Sequence, residues 1–336
     1  MDRHDVEVTG PDRLLAPEML AEFRRYAATW LDVERTVAGD DITARRTIFD
    51  AVAARISGPT PHVATVRRTA VELDGRAVEL RWYVDVDRPA GTVVFFHGGG
   101  WVQGSIDSHD TLCRHLAVDS AWQIVSVGYS LAPENPYPAA LDEGLAVLDA
   151  VRARADALGD VGTLIAVAGD SAGGNLALAV ALADRDRGSG VDAIALAYPV
   201  CSDDFDRSSY REFAEGFGLD RNTMMAFWDA YAPGSTRSQG YVSFLDADLR
   251  ELGPVFIQSA RIDVLSDEVE ALAKRLTAQG NPVTYHAEPG VIHGYLRYVH
   301  SVPQARDAVR RFTQWLTEVT LGRPLSEESR SRGNPT

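Results

Sequence analysis

A chain of 336 residues that is 45% hydrophobic and 24% charged can hold one large α/β domain with insertions or two ordinary domains, and its composition is far from that of a disordered segment. Its 33 basic and 48 acidic side chains give a formal charge of −15, which argues against nucleic acid and anionic membrane surfaces as partners. Two cysteines, Cys113 and Cys201, supply neither a disulfide framework nor a four-thiolate zinc site, and both read as small buried apolar residues.

The first ten residues, MDRHDVEVTG, are polar with no apolar run behind them. No secretory signal and no membrane insertion are expected, and a cytoplasmic location is the default. From about Pro11 to Ile56 apolar residues recur at helical spacing, among them Leu14, Leu15, Met19, Phe23 and Trp30, until Gly58-Pro59 breaks the pattern. The period then changes to two. Val71 and Leu73, followed by Asp74-Gly75 and then by Val78, Leu80, Trp82 and Val84, read as two strands joined by a hairpin turn.

Beyond the hairpin, buried strands alternate with helical stretches, which predicts an α/β fold with a mainly parallel sheet covered on both faces. The strands fall at Thr92–Phe96, Ile124–Tyr129, Leu164–Ala168, Ala193–Tyr198, Val255–Ser259 and Val283–His286. The helices fall at Ala139–Ala157, Ser171–Asp186, Asp267–Gln279 and Pro303–Val319. Residues 202–248 interrupt the rhythm with aromatic residues among charges and read as a cap inserted over the sheet. The tail from Leu321 has no apolar stripe and reads as frayed.

Two glycine-rich segments carry chemistry. Gly169-Asp170-Ser171-Ala172-Gly173-Gly174 contains G-x-S-x-G between a buried strand and a helix, the context in which a serine sits on a strained turn and small neighbours let the backbone pass close. The N-terminus of the following helix favours negative charge there. His97-Gly98-Gly99-Gly100-Trp101 follows the strand Thr92–Phe96, and a run of glycines there exposes backbone N–H groups to a developing oxyanion. The expected donors are Gly98 or Gly99 together with Ala172, and His97 is expected to orient the loop.

A serine needs a base to take its proton. Of the eight histidines, His293 lies after the last strand, where ligands bind in open α/β sheets, and it completes the chain order Ser…Asp…His. The acid belongs after the penultimate strand, which points to Asp263. Its neighbours Asp267 and Glu268 fall at the start of a helix, where capping and the helix dipole explain acidic residues without catalysis.

The segments HGGGW, GDSAGG, YSLAPENPYPAAL, DVLSDE and PGVIHGY together resemble the hormone-sensitive-lipase family of α/β-hydrolases, in its bacterial esterase branch with the GDSAGG form, from about residue 63 to 319. Carried over, the resemblance implies the α/β-hydrolase fold with Ser171 as nucleophile, Asp263 and His293 as its partners, and the Gly98, Gly99 and Ala172 amides as oxyanion donors. It divides the chain into an N-terminal helical part of the cap (1–60), a first part of the core (61–201), the cap insertion (202–248), a second part of the core (249–320) and a flexible tail (321–336). Ser130, Val264 and Ser266 depart from the family's usual arginine, proline and arginine, none of them at a catalytic position.

The activity this implies is that of a serine carboxylesterase, cleaving short- to medium-chain acyl esters through an acyl-enzyme, with a small-molecule ester as its partner and neither metal nor organic cofactor. Trp101, Tyr129, Phe217 and Trp228 are the expected pocket walls, although aromatic residues so spaced also serve as plain core. A homodimer rests on resemblance alone. The same triad could instead open an N-acyl amide of a small metabolite, as a deacetylase or deformylase does, and a binding protein could reuse the fold without catalysis.

Overall fold

In the computed structural model, which describes residues 10–322 apart from 40, 154–161 and 239, the period-two stretch is a hairpin of β1 (Thr65–Leu73) and β2 (Arg76–Val84). The chain turns at Asp74 and Gly75, both at positive φ (49° and 78°), as a tight hairpin turn requires. Six further strands follow: β3 (Gly91–Phe96), β4 (Gln123–Gly128), β5 (Leu164–Asp170), β6 (Ala193–Ala197), β7 (Val255–Ile262) and β8 (Val283–Ile292). They form one sheet in the order β1-β2-β4-β3-β5-β6-β7-β8. β2 pairs antiparallel with both β1 and β4, and every other pairing is parallel.

This order places the site. The chain leaves β3 to form β4 on one side, then crosses back over β3 to form β5 on the other, so the loops leaving β3 and β5 diverge and open a crevice at their C-terminal ends. Phe96 pairs with Gly169, so the glycine loop and the serine turn emerge side by side. All six residues of β3 are buried, as expected of a central parallel strand covered on both faces.

Among the described residues three helices precede the sheet: α1 (Pro11–Leu14), α2 (Pro17–Glu34) and α3 (Ile42–Ile56), the last capped by Asp41, whose carboxylate accepts the Ala44 N–H at 2.8 Å. Arg46 of α3 stitches this segment to the loops beyond β3 and β4. Its guanidinium donates to the carbonyls of Val102 (2.7 Å) and Ala132 (2.8 Å) and pairs with Glu134. The covering helices are α4 (Asp110–Val118), α5 (Ala139–Arg152), α6 (Ala172–Asp186), α9 (Ser266–Ala278) and α10 (Pro303–Thr320). The stretch between β6 and β7 holds α7 (Ser208–Glu212) and α8 (Arg221–Tyr231). Its ends are tied together by Asn175 of α6, whose buried amide donates to the carbonyls of Val200 and Val242, both at 3.0 Å.

Most boundaries shift by a residue or two, the penultimate strand runs on from Ser259 to Ile262, and three further differences matter more. The fifth helix ends at Arg152, and residues 154–157 of the longer stretch lie outside the described residues, as do 1–9 and the tail from 323. Ser171 stands before α6 as its N-cap residue rather than inside it. The last strand runs on through Pro289 and Gly290 to Ile292, where sequence reading ends it at His286. Proline is tolerated because β8 is an edge strand, and the Gly290 carbonyl accepts the N–H of Ala16 at 2.8 Å, which partly covers that edge.

Candidate active site

Ser171 has φ 56° and ψ −123°, a conformation an L-residue adopts at a cost of about 1–3 kcal/mol and keeps only where its surroundings hold it. Here the Ser171 N–H donates to Ala197 O (2.8 Å), and its carbonyl accepts from Asn175 (3.1 Å) and Val200 (3.2 Å). The turn is tight enough that a Cβ on Gly173 would stand 2.0 Å from the Phe96 carbonyl oxygen, so only glycine fits.

The three residues singled out as nucleophile, base and acid converge. His293 Nε2 is 2.8 Å from Ser171 Oγ, and His293 Nδ1 is 2.7 Å from Asp263 Oδ2. A carboxylate only accepts, so Nδ1 carries the proton and Nε2 is left to accept from the serine. Asp263 is buried, with its other oxygen taking the Leu265 N–H at 3.0 Å. Tyr198 packs edge-on against the imidazole with ring centroids 4.9 Å apart. Nothing in its sequence context marked it out.

The rival acids stand in the first turn of α9, as expected, but neither caps that helix and both are engaged elsewhere. The N-cap of α9 is Leu265, with no side-chain hydrogen bond. Asp267 instead accepts the N–H of Ser209 at the start of α7 (2.9 Å). Glu268 is buried and accepts the Cys201 N–H (2.7 Å), and burial pushes its carboxyl well above the ordinary range.

The glycine loop corrects one assignment. The Gly98 N–H donates to Asp170 Oδ1 at 2.8 Å, so it is spent inside the protein and cannot also face a bound carbonyl. Gly99 and Gly100 N–H have no acceptor among the described residues and both line the cavity, and Ala172, as the first residue of α6, has no intrahelical acceptor. The amides left free beside Ser171 are thus those of Gly99, Gly100 and Ala172, one residue along the loop from the expected Gly98 and Gly99. The signal was present in Asp170: a buried carboxylate beside the serine needs donors, and the loop paired with it in register supplies one. His109 Nε2 lies 3.2 Å from the same oxygen, in ion-pair range. Burial alone would raise the Asp170 carboxyl, but His109, the Arg297 charge and the Gly98 amide outweigh it and hold the group below the usual range.

His97 is buried, with Nδ1 2.9 Å from Gly98 O and its ring stacked on Tyr129 at 4.3 Å. Burial and the neighbouring His109 lower its pKa to about 3, so it is a neutral brace under the loop.

The expected pocket walls fail as a group, because none of the four lines the cavity. Trp101 stacks on Tyr231 at 4.3 Å and meets Trp228 edge-on at 5.2 Å, deep in the core. Tyr129 donates its hydroxyl to His97 O (2.7 Å), and Phe217 packs against Phe213. All four bury their rings among other aromatic residues because that removes the most apolar surface from water. The cavity that opens onto Ser171 and His293 has a volume of about 290 Å³, and its walls come from α2 and α3 (Tyr26, Trp30, Phe49) and from α8 (Met224, Phe227). These helical positions looked like ordinary apolar stripes in the sequence.

Residues 93–297 match a family model described as the alpha/beta hydrolase fold. Carboxylesterase NlhH of Mycobacterium tuberculosis is 39% identical over 240 residues, which cover 70% of this chain and 75% of that protein. An ethyl acetate hydrolase of Pseudomonas putida is 33% identical over 244 residues, 70% of this chain and 77% of its own. Among solved structures, an ester-hydrolase from the metagenome of Lake Arreo superposes with a TM-score of 0.81 at 32% identity, covering 92% of this chain and 99% of that one. Among the described residues, no helix is long and apolar enough to cross a membrane.

Proposed function

Because this chain belongs to the α/β-hydrolase family, among the carboxylesterases of its hormone-sensitive-lipase-like branch, we propose that its serine carboxylesterase activity runs through an acyl-enzyme built on Ser171. The observation that carries this reading is the continuous line from Ser171 Oγ to His293 (2.8 Å) to Asp263 (2.7 Å). His293 takes the serine proton as Oγ attacks the ester carbonyl, and Asp263 stabilises the imidazolium without taking its proton. The Gly99, Gly100 and Ala172 amides receive the oxyanion. His293 then gives its proton to the leaving alcohol, and in a second half-reaction activates water to release the acid.

A cavity of about 290 Å³ lies at the low end of ligand pockets, roughly 300–1,000 Å³, which favours short acyl chains over medium ones. The helices α2, α3 and α8 act as the cap in this reading. Mixing the enzyme with excess 4-nitrophenyl acetate is expected to give a burst of one nitrophenolate per active site, and peptide mass mapping of quenched enzyme an acetyl group on Ser171. An acetyl group on another residue would count against Ser171, and no burst together with unmodified enzyme would count against the covalent route.

The displaced oxyanion set has its own consequence. A Cβ on Gly99, which has φ 126°, would stand 2.1 Å from the Gln103 carbonyl oxygen, so Gly99→Ala must move the loop. We expect kcat to fall by about 10²–10³, the usual effect of losing one oxyanion donor, while the triad still reacts with a small fluorophosphonate. Unchanged kcat would remove Gly99 from the set.

A further inference from the structure

The cavity above Ser171 carries a charge that neither the triad nor the oxyanion amides use. Arg297 lies four residues after His293, in the short helical turn Tyr295–Tyr298, and lines the cavity. Its Nε is buried and has no hydrogen-bond partner. The guanidinium lies over the Phe49 ring, 5.1 Å from the centroid, and close against the residue that follows the catalytic base: a Cβ on Gly294 would stand 2.7 Å from Nη2. Among the described residues no carboxylate comes within ion-pair distance of it. Arg45 of α3, exposed, lines the same cavity and has no carboxylate partner either.

The acids around this space are committed elsewhere. Asp263 holds His293 and the Leu265 amide, and Asp170 holds the Gly98 amide beside His109. Asp220 caps α8 by accepting the Thr223 N–H at 2.7 Å. Asp170 attracts Arg297 from beyond ion-pair distance, but a guanidinium that stays charged at any working pH and has no carboxylate in direct contact keeps donors free for a bound anion. A carboxylate is the planar partner that its fork geometry fits.

We propose that the pocket selects esters bearing a carboxylate, seated on Arg297 and drawn in by Arg45. The proposal rests on the esterase reading of Ser171. It makes this acidic chain, at −15 overall, locally attractive to an anionic substrate at the one place where that matters. The competing role for Arg297 is structural, a cation–π clamp that holds α3 through Phe49.

Two matched substrate pairs separate these roles and also show which side of the ester carries the charge. On the acyl side, mono-4-nitrophenyl succinate is compared with 4-nitrophenyl butyrate; on the alcohol side, acetoxyacetate is compared with ethyl acetate. For at least one pair the full-length enzyme is expected to favour the charged member in kcat/KM by about tenfold or more, the scale of one charge-assisted hydrogen bond. Arg297→Met should erase that ratio, chiefly through KM, and Arg297→Lys should keep part of it. Equal losses on charged and neutral esters would assign Arg297 to the clamp and overturn the proposal, as would a wild-type preference for the neutral member of both pairs. Hydrolysis of no ester at all would instead overturn the esterase reading beneath it.

Should the methionine variant not fold, inhibition of the wild type decides. Succinate should compete with 4-nitrophenyl acetate about tenfold better than succinamide does, and increasingly poorly as salt is added. Equal inhibition by the two overturns the proposal.

Discussion

Ser171→Ala is expected to lower kcat on 4-nitrophenyl acetate by a factor on the order of 10⁶, leaving only what the oxyanion amides and binding supply. The size follows from the geometry. The hydroxyl is the one group placed to attack and to pass its proton to His293 across 2.8 Å, and alanine offers no substitute for either act. The fold should hardly register the change. Alanine occupies the same strained backbone position, and the single hydrogen bond lost ends on a partly exposed imidazole, so stability should shift by no more than about 1 kcal/mol. Nitrophenolate release measured beside a thermal melt tests both halves: activity within tenfold of wild type, with the melt unchanged, would move the nucleophile to another residue.

Asp263→Asn is expected to cost about 10⁴ in kcat while leaving the side chain's shape intact. The oxygen of the substituted amide can still accept the Leu265 N–H, but its nitrogen, facing His293 Nδ1 in place of Oδ2, puts a donor where an acceptor stood. The imidazole then carries its proton on Nε2, toward Ser171, and cannot act as its base. Asp267→Asn is the matched control, since that carboxylate serves only the start of the short helix α7 and should affect kcat little. Equal losses in the two variants would show that the whole segment, not one carboxylate, sustains activity.

Much of this architecture is legible in the sequence because short-range chemistry dictates it. The period of two before Asp74-Gly75, the all-apolar runs of the central strands and the glycines crowded around Ser171 each have a local physical cause that no distant contact overrides. The residues brought together at Ser171, His293 and Asp263 were legible for the same reason: each stands just past the end of a strand, and in a parallel sheet those ends share one edge. What stayed hidden depends on three-dimensional pairing. Gly98 and Gly99 are alike in sequence, and only the register of Phe96 with Gly169 shows that the first is consumed by Asp170. Pro289-Gly290 reads as a loop until the strand is seen to be an edge. Trp101 and Trp228 look like substrate walls to any reading that scores aromatic residues near a motif, whereas Tyr26, Phe49 and Arg297 reach the cavity from helices and a turn whose orientation no local pattern reports.

The separation of 122 positions from Ser171 to His293, with His293 following the edge strand β8, also sets the order in which the enzyme comes to life on the ribosome. At about 5–20 residues per second, translation takes roughly 6 to 24 seconds to pass from the serine codon to the histidine codon. If His293 is the base that activates Ser171, the hydroxyl stays inert throughout that interval, and a message truncated between the two codons encodes a product without esterase activity.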